Sequence, residues 1–166
     1  MSTEPLAVYL NDHLAGSAAG LTLMDDLASR VEGTALAPKL RALAAEVRED
    51  QQLLRETLDR LAAGERRVAQ AAAWLGEKVS EKRLALAARN HPALGLLEGL
   101  ESIALGLQGK LAIFRVLAEL GALDPRLTGL PYGARTDRTV LQHGMIEAER
   151  RAAAREAFGM ASAEHP

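Results

Sequence analysis

The stretch ALGLLEGLESIALGLQGKLAIFRVLAEL, residues 93–120, decides the fold. Leu97, Leu100, Ala104, Leu107, Leu111, Phe114 and Ala118 recur at three- and four-residue intervals, the period of one face of an α-helix. Leu94, Leu96, Ile103, Leu105, Ile113 and Leu117 widen that stripe, so this segment is expected to be the central helix of the molecule. Asn90-His91-Pro92 bounds it, because a residue before proline is pushed out of the α region. Gly95, Gly99, Gly106 and Gly109 lie inside it, each about 1 kcal/mol less favourable in a helix than alanine. Close approach of two backbones is the expected compensation, ahead of access for a ligand.

Working outward, Leu6, Leu10, Leu14, Leu21, Met24, Leu27 and Val31 define a first helix. Gly33-Thr34 interrupts it, Pro38 suits the first turn of a second, and Leu40 to Leu61 carries that one to Gly64. Residues 66–88 hold a weaker amphipathic stripe, Val68, Ala71, Ala72, Leu75 and Val79, and are expected to form a shorter connecting helix. Downstream, Gly121, Pro125, Gly129, Pro131 and Gly133 mark a loop of about a dozen residues. A last helix from Arg135 to Phe158 is expected to bury Leu141, Met145, Ala148 and Ala152. The expectation is an all-α, up-and-down four-helix bundle, a single domain over 1–166 with its core in 6–158, in which sequence neighbours pack antiparallel.

Composition supports this. Hydrophobic residues make up 48% and charged residues 25%, ordinary globular values, while aromatics are only 3%. Alanine and leucine, strong helix formers, take their place. The net charge of −2 and the absence of a basic tail argue against a nucleic-acid partner. Without cysteine there is no disulfide, thiolate metal site or cysteine nucleophile. No long run of residues free of charge suggests a membrane span, and Met1-Ser2-Thr3-Glu4-Pro5 lacks the form of a secretory signal, so a cytoplasmic protein is expected.

A helical bundle raises the question of a two-metal carboxylate site, usually built with Glu-x-x-His pairs. Leu10, Ala88, Val140 and Ser162 stand three residues before the four histidines, so no such pair exists. Asp50 falls on the apolar stripe of the second helix and needs a partner there. His13 shares the inward face of the first helix, and Glu101 flanks the core stripe of the third. These three are expected to form an interior polar network, with iron or manganese as the alternative occupant and Asp12, Glu46 and Glu149 as weaker ligand candidates. His143 and Glu147 are expected to be an exposed pair one turn apart. Tyr9 and Trp74 suit capping of the core or a subunit contact, and a homodimer is expected.

Tyr9-Leu10-Asn11-Asp12-His13-Leu14-Ala15-Gly16, Trp74-Leu75-Gly76-Glu77-Lys78 and Leu97-Glu98-Gly99-Leu100-Glu101, followed by Gly106 and Gly109-Lys110, resemble a group of uncharacterised bacterial proteins near the ferritin-like superfamily. The resemblance implies a ferritin-like bundle and no particular reaction. Iron oxidation or storage would follow only if Asp50 and Glu101 were surviving ligand positions. A structural or binding protein is the leading expectation, and a divergent metal-binding oxidoreductase or metal-storage protein the alternative.

Overall fold

The computed structural model describes residues 3–62 and 91–160. Four long helices, α1 (Glu4–Arg30), α2 (Leu36–Ala62), α3 (Pro92–Leu123) and α4 (Tyr132–Ala157), pack as a bundle. Pro5 and Pro92 sit in the first turns of α1 and α3, where a missing N–H leaves no bond unmade. Gly33 closes the α1–α2 turn with φ of 82°, a left-handed conformation open to glycine without strain. The α3–α4 loop is shorter than expected, because α3 continues to Leu123 and α4 starts at Tyr132. Leu127 plugs the loop into the core, and the Arg126 guanidinium grips the Asp124 carboxylate.

Each adjacent pair of helices is antiparallel. Arg48 meets Asp25 and Gln51 meets Ser17 between α1 and α2, while Lys39 meets Glu149 and Glu49 meets Arg138 between α2 and α4. Between α3 and α4, Glu101 meets Arg150 and Gln108 meets His143. Gly99 lies beside Leu27 and Gly109 beside His13, which orients α1 against α3. The helices therefore circle the bundle in the order α1, α2, α4, α3, and the diagonal α2 and α3 run in the same direction. This corrects the expectation that sequence neighbours are always antiparallel: α2 ends at the end of the bundle opposite to the one where α3 begins. The expected connecting helix lies outside the described residues.

Two hydrophobic clusters fill the interior. Met24, Leu27, Leu40, Leu43, Val47, Leu100, Ile103, Leu107 and Ile146 pack at the α1–α2 turn end, and Leu6, Leu10, Leu54, Leu61, Ile113, Phe114, Leu117, Leu127 and Tyr132 at the other. The inward face of α4 is Tyr132, Thr139, Gln142, Ile146 and Ala153 rather than the expected alanine-rich stripe, and Leu141 is 76% exposed. The true face is displaced by one residue, about 100° of helix rotation. Its period is helical but its centre is polar, so apolar spacing by itself points to the neighbouring stripe.

Candidate functional site

Between the two clusters the bundle carries a belt of charge. Asp50 is buried on α2, 4% exposed, with both carboxylate oxygens occupied. Lys110 of α3 donates to Oδ2 at 2.7 Å, and Arg138 of α4 donates to Oδ1 at 2.5 Å. Arg135, one turn before Arg138, brings its Nε to 3.4 Å from the same Oδ1. Lys110 also donates to Gln142 Oε1, whose amide nitrogen in turn donates to Glu46. Arg138 and Arg135 reach out to Glu49 at the surface. Burial holds the Lys110 ammonium below its ordinary pKa, opposed by the attraction of Asp50. For Arg138 burial is again the largest single influence and works against the charge, but Glu49 and Asp50 together outweigh it and raise its pKa. A second buried bond, Thr57 to Tyr132 at 2.8 Å, ties α2 to the start of α4.

Beside this belt α1 and α3 part to leave a cleft of about 460 Å³. Gly16 and Gly20 of α1 and Gly106 and Gly109 of α3 line it, and Val47, Asp50, Gln51 and Leu54 of α2 form its floor. A Cβ added at Gly16 or Gly106 would meet nothing within 4 Å, and at Gly109 only the His13 ring at 3.9 Å. These glycines therefore widen a space instead of drawing two backbones together. Gly99 behaves as expected, since a Cβ there would fall 2.7 Å from Leu27.

The anticipated polar residues separate into different surroundings. His13 and Asp50 both line the cleft. The His13 ring packs edge-on against Tyr9 with centroids 4.7 Å apart. Burial lowers the His13 pKa, more than neighbouring Asp12 raises it, so the ring is neutral at neutral pH. Asp12 is exposed at the cleft rim. Glu101 points outward from α3 and pairs with Arg150, its side chain 49% exposed. The flank position that made it an interior candidate is turned away from the core, because Leu100, Ile103 and Ala104 occupy the inward face. Glu46 accepts from Gln142, and Glu149 pairs with Lys39 across the outside of the bundle. His143 meets Gln108, and Glu147 pairs with Arg150 and Arg151 instead of His143.

Among the described residues no three carboxylate or imidazole side chains converge as a metal-binding group. The donor set explains why: both Asp50 oxygens face cations, and Glu101 lies on the outer surface. The metal alternative based on His13, Asp50 and Glu101 is therefore set aside. The residues that the sequence reading missed are Lys110, Arg135, Arg138 and Gln142. A signal for the last three was present: 135, 138 and 142 lie at i, i+3 and i+7, on the face that carries Ile146.

Fold and site together define an all-α four-helix bundle with a buried salt-bridge network and an adjoining open cleft. Comparison with protein-family models, curated proteins and solved structures gives no match for the chain. No helix among the described residues is long and apolar enough to cross a membrane.

Proposed function

We propose that this chain is a binding protein of ferritin-like architecture, whose buried salt bridges fix the bundle and whose α1–α3 cleft receives a small, largely apolar molecule. The observation that carries this reading is the open space at Gly16 and Gly106, two helical positions where alanine would fit and favour the helix. The volume of about 460 Å³ lies within the range of small-molecule pockets, and an apolar lining with a few polar groups is their usual chemistry. The ferritin-like element of the proposal is supported by topology, since a four-helix bundle whose second and third helices run parallel belongs to that architectural type. Binding is favoured over catalysis because the hydroxyls of Ser17 and Thr57 and the Asp50 carboxylate are already engaged by protein groups.

A neutral fluorescent probe such as N-phenyl-1-naphthylamine tests this. It is expected to bind the wild type with micromolar affinity and to be excluded by Gly106→Leu, with helical content unchanged by circular dichroism. Equal binding by both proteins would place the probe elsewhere and refute the cleft. A homodimer is part of the same proposal, supported by the exposure of Leu105, Val140 and Leu141 on α3 and α4, and sedimentation equilibrium measures it directly.

A further inference from the structure

The cleft is long and narrow. Its lining runs from Tyr9 to Met24 on α1 and from Ser102 to Phe114 on α3. At 1.5 Å per residue that is a trough of roughly 20 Å. A volume of about 460 Å³ drawn out over such a length leaves a slender cross-section, suited to one extended chain.

Polar groups are not spread evenly along it. Met24, Val47, Ile103 and Leu107 line one end, where the Ser102 hydroxyl is turned to Glu98 of its own helix, and Leu54, Ile113 and Phe114 line the other, whereas His13, Ser17, Gln51 and Lys110 gather nearer the middle. Two of the three Lys110 ammonium hydrogens go to Asp50 and Gln142. The third is unassigned among the described hydrogen bonds, and an ammonium has three to give. The neutral His13 ring makes no hydrogen bond among the described residues and can supply one donor.

The charged side chains lining the cleft are Asp12, exposed at its rim, and Asp50 and Lys110 within it, and Asp50 is neutralised from the adjoining belt. Lys110, Arg138 and Arg135 are 12, 23 and 24% exposed, and all three converge on the single carboxylate of Asp50. Glu46, part-buried, is the second anion within the belt. Glu49, the remaining carboxylate partner, is 55% exposed and largely screened by solvent. The less exposed part of the belt thus holds three cations against two anions.

We infer that the cleft takes a medium-chain monocarboxylate, its carboxylate on the Lys110 ammonium and the His13 ring and its alkyl chain along Met24, Val47, Ile103 and Leu107. This rests on the proposed cleft-binding function and specifies its ligand. From Lys110 to Ile103 the trough runs about 11 Å along α3. With carbon–carbon bonds of about 1.5 Å in zigzag, that suits a chain of roughly ten carbons.

Decanoate, decanol and decylammonium, each titrated calorimetrically into the full chain at pH 7.5, distinguish the terms. Decanoate is expected to bind at least tenfold more tightly than either of the others. Affinity should rise about fourfold per methylene from hexanoate to decanoate and level off beyond it. Lys110→Met should abolish the preference for the acid, so that decanoate binds no more tightly than decanol. Should that variant fail to fold, the ¹³C shift of carboxyl-labelled decanoate on the wild type provides the same test, with an acid pKa lowered on binding. Decanol or decylammonium binding as tightly as decanoate would overturn the carboxylate assignment and leave the cleft intact, as would a neutral probe that binds but is not displaced by decanoate. If the neutral probe does not bind at all, the cleft reading itself falls.

Discussion

Asp50 is the residue on which most of the polar interior depends. Its neighbours Lys110 and Arg138 are too buried to recover full hydration, so removing the carboxylate leaves cations without compensation. Asp50→Ala is expected to lower unfolding free energy by about 3–5 kcal/mol, whereas Glu49→Ala, at an exposed and solvent-screened pair, should change it far less. Urea denaturation of the two variants decides the matter, and equal effects would mean that the belt is hydrated. That Asp50 required a partner was legible in the sequence, since a carboxylate stood on an apolar stripe. The identity of its partners was not, because lysine and arginine reach inward from flank positions with their charged ends several ångströms from their own backbone. His13 gives a second prediction. Its folded pKa lies below the unfolded value of about 6.5, so below that pH the unfolded chain takes up a proton first and folding weakens. Wild type should therefore lose stability between pH 7 and pH 5 relative to His13→Gln, while above pH 7 their difference stays constant. Parallel urea midpoints across that range measure the effect.

Among the elements, α3 shows how one residue type serves opposite purposes along a single helix. Gly99 admits the buried Leu27 side chain, while Gly106 borders open space. Gly106→Ala should stabilise the protein by up to about 1 kcal/mol through helix propensity alone. Gly99→Ala must displace Leu27 within a packed cluster, and it should be about 1–3 kcal/mol less stable than the Gly106 variant. Matching midpoints would show that Leu27 has room to move. The existence and approximate limits of the four described helices were legible from apolar spacing. The roles of the glycines were not, because spacing records which positions are small and says nothing of whether the opposing helix approaches or withdraws. The inward face of α4 escaped for a related reason: Thr139 and Gln142 are polar residues at core positions, and their burial follows only from what they meet across the bundle.

For the whole molecule, the direction of α3 relative to α2 is the feature that apolar periodicity does not encode. A helical stripe looks the same read upward or downward. Spin labels test the arrangement. A pair at Asp59 and Glu98 should lie roughly 30 Å apart, at opposite ends of the bundle, and a pair at Asp59 and Glu119 much closer. The reverse ranking would make α2 and α3 antiparallel and overturn the topology.

The same geometry bears on how the polypeptide tolerates being re-cut. Because α1 and α4 run in the same direction, Glu4 and Ala157 stand at opposite poles, separated by about one helix length, some 40 Å. A circular permutant joining them would need a strap of at least about twelve extended residues. Tandem copies, by contrast, would join pole to pole through a short spacer and extend into a rod.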